Sequence, residues 1–192
     1  MNQSQAYLVL KEITTLLRPE EAHLIAGTLL GYGRNKDFIP GDLDIDLGLF
    51  DYNWKKVEQI TDKVKKSGFK LMHHFGTIQQ GYSQAIIKDD IKIDLVVVYT
   101  GNQYYKASWG SKKQDIWLMN KEVHEPYKLT EGVFGNGIKV LVPDNIERVL
   151  TEHYGERWRL PWNQKHPGTK YNYFNDAKNI VRTNNTSKMM PG

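Results

Sequence analysis

No cysteine occurs anywhere in the 192 residues, which excludes disulfides, thiolate metal sites and cysteine nucleophiles. A chain without disulfides has a cytoplasmic setting as its default expectation. No apolar run approaches the roughly 18 residues of a membrane span. The N-terminal stretch "MNQSQAYLVLKEITTLLRPEE" has no basic leader region; with Tyr7, Leu10, Ile13 and Leu17 on one face it reads as an amphipathic helix, not as a signal peptide. There is no arginine-rich run and no recognisable nucleic-acid module, so DNA or RNA is not indicated as a partner. Charge is also close to balanced, 26 Lys+Arg against 22 Asp+Glu for a net +4. That mild excess suits a phosphate-bearing substrate and equally an ordinary solvated surface.

What is present fits one compact domain, since 40% of the residues are hydrophobic and no linker or repeat divides the chain. The domain is expected to span residues 1–164, with 165–192 a polar tail that frays. After the first helix, His23–Ala26 reads as a short buried strand, Gly27-Thr28 as a turn and "TLLGYGR" as the start of a helix. A loop, "NKDFIPGD", leads to a strand over Asp42–Phe50. "NWKKVEQITDKVKKSG" has an apolar stripe of Trp54, Val57, Ile60 and Val64 and stops at Gly68, which predicts a helix. Strands are predicted over 69–75, 82–88 and 91–99, the last two joined as a hairpin by Lys88-Asp89-Asp90. Residues 101–128 read as less regular. A strand near 137–143 precedes a helix over "DNIERVLTEHYG", with Asp144 as N-cap and Gly155 as stop.

The chemistry concentrates in "GDLDIDLGLF" (41–50), where Asp42, Asp44 and Asp46 alternate with Leu43, Ile45 and Leu47. Aspartate is a poor strand former, yet alternation of this kind is a strand pattern. Side chains two apart on a strand share a face, roughly 6.5–7 Å apart at the backbone. Two carboxylates about 6 Å apart repel by ~2–3 kcal/mol at an effective dielectric near 20. A divalent cation offsets that, and hard oxygen ligands suit Mg²⁺ or Mn²⁺. A calcium loop starting at Asp42 fails, because its sixth and twelfth positions fall on Leu47 and Asn53 instead of glycine and glutamate. In "IKIDLVVVY" (91–99) Asp94 interrupts an apolar strand, with Lys92 on the same face. Placed beside the first strand, Asp94 completes a three-carboxylate cluster of the kind that holds metals at a phosphoryl centre; alone, it is as well read as an edge charge or a salt-bridge partner. Gly27-Thr28, between strand and helix, offers free N–H groups to a phosphate, though such turns are common in α/β proteins.

In order, "GTLLGYGRNKDFIPGDLDIDLGLF" (27–50), "IKIDLVVV" (91–98) and "IKVLVPDNIERVLTEHYGERWRLP" (138–161) resemble the LicD/fukutin family. The likeness runs over about 23–162. It implies an α/β (α+β) nucleotidyltransferase-like fold of the polymerase-β type: a mixed β-sheet flanked by helices. It further implies Asp44, Asp46 and Asp94 as the catalytic, metal-holding carboxylates for Mg²⁺ or Mn²⁺, and Gly27 and Thr28 as the glycine–hydroxyl turn. The implied activity moves a phospho-alcohol, such as phosphocholine or ribitol phosphate, from a CDP-linked donor such as CDP-choline to a glycan hydroxyl, as in lipopolysaccharide modification. Gly41 and Leu43 depart from the family's usual residues. Two alternatives stay open: NMP transfer from an NTP to a small molecule, RNA or protein, and a non-catalytic nucleotide-binding module.

Other candidates have bland readings beside functional ones. Arg34 is a phosphate clamp or a cation at a helix C-terminus. Asp94 is a ligand or a general base. Asp42 reads as the exposed first residue of its strand more than as a supporting residue. Adjacent His73 and His74 point to opposite faces of a strand and read as a surface-plus-core pair. Tyr154, Trp158 and Trp162 read mainly as packing aromatics.

Overall fold

A computed structural model describes residues 2–79, 81–113, 116–160 and 180–183, with 105–122 and 180–183 described by their backbone alone. The mixed sheet flanked by helices is the fold the sequence predicts. Helix α1 (Gln3–Leu16) is capped by Asn2, whose side chain accepts from the Gln5 N–H. Strand β1 (His23–Leu24) is shorter than expected, because the chain turns into α2 (Ala26–Asn35) at once. Then come β2 (Asp44–Phe50), α3 (Trp54–Lys66), β3 (Lys70–Thr77), β4 (Gly81–Lys88) and β5 (Ile91–Tyr99). The turn between β4 and β5 has Asp89 at φ 51° and Asp90 at φ 60°, as a two-residue type I′ hairpin requires.

The chain continues through β6 (Tyr104–Lys113), β7 (Ile116–His124), β8 (Leu129–Phe134), β9 (Ile138–Pro143), α4 (Ile146–Tyr154) and β10 (Ile180–Thr183). Residues 101–128, read as less regular, thus hold two paired strands. Ladder hydrogen bonds between β6 and β7 organise this stretch despite its weak alternation. The N-cap of α4 is Asn145, not Asp144; the Asp144 carboxylate instead accepts from the Lys128 N–H at 3.2 Å. Of the expected tail, only β10 is described, paired antiparallel with β7; the rest, and Trp162, lie outside the described residues.

Along the sheet the order is β10-β7-β6-β5-β2-β1-β9-β8, with β4 also on β5 and β3 beyond it. β5 is the branch point: β2 lies parallel along one edge, while β4 and the end of β6 share the other. One face of this centre carries Ile45, Leu47 and Leu49 of β2 and Ile93, Leu95 and Val97 of β5, all buried. They join one core with Ala6, Val9, Leu10 and Ile13 of α1 and Val57, Ile60 and Val64 of α3. Trp54, expected on the α3 stripe, is 53% exposed and meets Tyr82 edge-on. The alternation that buries this face leaves the opposite one to polar side chains.

Candidate active site

The parallel register pairs Asp44 with Lys92 and Asp46 with Asp94. Paired residues on adjacent strands share a face, so all four side chains leave the sheet opposite Ile45, Leu47, Ile93 and Leu95. The Lys92 ammonium lies between two carboxylates, donating to Asp44 Oδ2 at 3.0 Å and Asp94 Oδ2 at 2.8 Å. Burial pushes the Asp94 carboxyl up, against the opposing pull of Lys92. Burial alone would lower the Lys92 ammonium, but Asp94 and Asp44 outweigh it and hold it above its ordinary value.

Asp46 is fixed from another direction. Its Oδ2 accepts the N–H groups of Gly27 at 2.9 Å and Thr28 at 3.4 Å. In return the Asp46 N–H donates to Thr28 Oγ1 at 2.8 Å. Helix α2 begins at Ala26, so Gly27 and Thr28 form its first turn and are not a turn ahead of it. Ala26 itself has φ 44°, a left-handed conformation that costs an L-residue roughly 1–2 kcal/mol. The N–H groups that the sequence offered to a phosphate are therefore directed at Asp46. The partial positive charge at the start of α2 attracts this carboxylate.

Asp42 corrects an expectation. It precedes β2, in the turn after Gly41, and its carboxylate is turned inward: an ideal Cβ on Gly27 would stand 3.2 Å from Asp42 Oδ2 and 3.1 Å from Asp46 Oδ2. Burial, and then the nearby Asp44 charge, raise its pKa, while the Leu43 N–H opposes the shift. Asp42 and Asp94 thus hold protons more tightly in the folded chain than in the unfolded one. Between the ordinary carboxylate value and the raised one, stability falls as pH rises; at neutral pH the half-buried Asp42 charge is a net cost that acid relieves. Asp42→Asn retains an acceptor for the Leu43 N–H. It is expected to raise the urea midpoint at pH 7, with the gain disappearing once pH drops below the ordinary carboxylate range. A loss of stability at pH 7 would mean that the charge itself anchors the turn.

The residues suit a hard divalent cation in kind. Asp44, Asp46 and Asp94 supply carboxylate oxygens on one face, and Asp42 adds a fourth nearby. Yet among the described residues no three acidic, imidazole or thiol side chains already stand at metal-holding distances. The cation between Asp44 and Asp94 is the protein's own lysine.

A family model for the LicD/FKTN/FKRP nucleotidyltransferase domain matches residues 21–145. The chain belongs to this family. Among curated relatives, ribitol-5-phosphate transferase FKTN of Homo sapiens is 27% identical over 156 residues, covering 78% of this chain and 32% of the relative. The Macaca fascicularis protein of the same name gives the same identity and coverage. Uncharacterized protein W02B3.4 of Caenorhabditis elegans is 28% identical over 175 residues, 86% of this chain and 43% of the relative. The chain spans about a third to less than half of the length of these relatives. The family match takes in Gly27, Thr28, Arg34, Asp44, Asp46 and Asp94 and ends before α4; the likeness drawn over 146–161 lies beyond it.

Within this LicD-type domain Arg34 stands apart from the carboxylates. It sits in the last turn of α2, roughly 10 Å along the axis from Gly27. Its Nε donates to the Trp158 carbonyl and its Nη2 to the Leu160 carbonyl, both at 2.7 Å. These bonds tie α2 to the segment after α4, where Trp158 is buried. Arg34→Ala is expected to lower stability by about 1.5–3 kcal/mol and leave the donor KM unchanged. A raised KM with an unchanged melting temperature would restore the phosphate clamp. His73 meets the Phe75 ring edge-on and His74 stacks on Tyr82, both half-buried, so neither belongs to the core. Tyr154 packs on the His153 ring.

Two members of the cluster escaped the sequence reading of the LicD-type site. Period-two spacing from Asp94 puts Lys92 on the carboxylate face, but no local signal marks it as the partner of Asp44. Asp42 shares the alternation of Asp44 and Asp46, but a place at the strand's end is ordinarily a solvated one.

Proposed function

We propose that the chain is a metal-dependent transferase that moves a phospho-alcohol from a CDP-linked donor to a hydroxyl of a glycan. The observation that carries this reading is the register of β2 against β5, which sets Asp46 beside Asp94 and Asp44 one step along the same face. Family membership supports this class of chemistry. The name shared by two relatives, ribitol-5-phosphate transferase, makes ribitol phosphate the first choice of cargo and phosphocholine the second.

In this reading Asp44, Asp46 and Asp94 hold Mg²⁺ or Mn²⁺, which when bound neutralises charge on the donor's diphosphate. The acceptor oxygen bonds to the phosphorus that bears the alcohol. The bond from that phosphorus to the bridging oxygen breaks, and CMP leaves with the electron pair. Asp46 is preset for its part by the Gly27 and Thr28 N–H groups, so this one carboxylate needs little reorientation. Asp94 is also the candidate to take the hydroxyl proton, as a positioned carboxylate does. Asp94→Asn separates its two roles: a lost ligand weakens Mn²⁺ binding, whereas a lost base leaves binding intact while turnover falls.

The test is incubation with Mn²⁺ and CDP-ribitol, CDP-choline or an NTP, with the nucleotide product read by mass spectrometry. CMP release from a CDP-linked compound is the expected result. Pyrophosphate release from an NTP would replace this reaction with nucleotidyl transfer, and binding of every nucleotide without turnover would leave a binding module.

A further inference from the structure

We infer that Lys92 is a resident counter-cation, which a divalent ion must displace and which then pairs with the anionic donor. The inference rests on the metal reading above and adds a residue to it. The Lys92 ammonium bridges Asp44 and Asp94, at 3.0 and 2.8 Å, from within the strand that carries Asp94. Strand alternation leaves it no route to the other face, where Ile91 and Ile93 are buried. Its neighbour across β4 is Ile87, which offers no charge. Lysine and carboxylates are half-buried together, so the three compensate one another where water screens them only partly.

Two consequences follow from the charges. Binding of a divalent ion by Asp44 and Asp94 is an exchange, because ammonium and metal compete for the same oxygens, and metal affinity without substrate is held down. The released ammonium then needs a new anion, and a diphosphate brought to the carboxylate face supplies one. Metal and nucleotide therefore strengthen each other's binding through Lys92, by the reciprocity of linked equilibria. The lysine acts as a positioning residue that favours joint loading of metal and donor over binding of metal alone.

The experiment measures Mn²⁺ affinity by electron paramagnetic resonance, with and without CDP, in the wild-type chain and in Lys92→Met, correcting free Mn²⁺ for the Mn–CDP complex. Without nucleotide, Lys92→Met is expected to bind Mn²⁺ about tenfold tighter than wild type. CDP is expected to tighten Mn²⁺ binding by a larger factor in wild type than in the variant. Lys92→Gln, which keeps a hydrogen-bond donor without the charge, serves if the methionine variant does not fold without metal. Equal or weaker Mn²⁺ binding by the folded variants would overturn the exchange. Failure of both wild type and variants to bind Mn²⁺ would overturn the metal reading and this inference together. Tighter binding in the variants with no response to CDP in any protein would uphold the exchange, overturn the pairing with the donor and count against a CDP-linked donor.

Discussion

Replacing Asp46 by alanine is expected to reduce turnover by at least about 1,000-fold, equivalent to ~4 kcal/mol of barrier. Asp46→Asn is expected to be as inactive, because an amide keeps the shape but not the charge that grips a divalent ion. The two variants part company in stability. Repulsion between like charges argues that removing one leaves the metal-free protein as stable or more so. The structure adds two opposing facts. Lys92 already bridges Asp44 and Asp94 and offsets one of their two charges, so less repulsion remains to be relieved. Asp46 also accepts the first N–H groups of α2, which asparagine still does through its carbonyl, losing only about 0.3–1 kcal/mol of charge–dipole interaction. Alanine leaves those N–H groups without their acceptor, at about 1–3 kcal/mol. The expected order of denaturant midpoints is wild type, then Asp46→Asn, then Asp46→Ala, with turnover absent from both variants. Near-wild-type turnover in Asp46→Asn would remove Asp46 from the metal set. Outright unfolding of Asp46→Asn would make it a scaffold residue.

How far the site can be read before folding depends on the range of the interaction involved. The facing of Asp44 with Asp46, and of Lys92 with Asp94, is a property of strand backbone and needs no tertiary knowledge. The Asp89-Asp90 hairpin is equally local. The parallel pairing of β2 with β5 is not, since the two are separated in the chain by α3, β3 and β4; only the likeness to a known family placed Asp94 beside Asp46. One error arises from residues with several uses. Asp144 and Asn145 both cap helices well, and the choice fell to Asn145 because Asp144 engages the Lys128 N–H. Gly33 of α2 serves packing: a Cβ there would stand 2.5 Å from Leu150 Cδ1. That glycine permits α2 and α4 to pack closely. Charge partners such as Lys92 were the least legible, because a lysine on a strand is ordinarily a solvated end.

Gly27 gives the sharpest separation of folding from function. Its backbone is that of an ordinary helical residue, so Gly27→Ala is not opposed by conformation, and alanine in a helix is favoured over glycine by up to about 1 kcal/mol. The added methyl would, however, stand 3.1 Å from Asp46 Oδ2 and 3.2 Å from Asp42 Oδ2, closer than carbon and oxygen comfortably approach. Both oxygens belong to short aspartate side chains, which yield by turning their carboxylates a few tenths of an ångström. Stability is therefore expected to stay level or to rise slightly. Catalysis is expected to respond in the opposite sense, because misplacement of a reacting group by as much as about 1 Å costs on the order of 100-fold. A loss of up to about 10-fold in kcat, with an unchanged or higher melting temperature and a weakened Mn²⁺ affinity, is the expected pattern. Wild-type turnover in Gly27→Ala would show that the Asp46 carboxylate tolerates displacement, and the reason for a glycine at the start of α2 would then have to lie outside the carboxylate cluster.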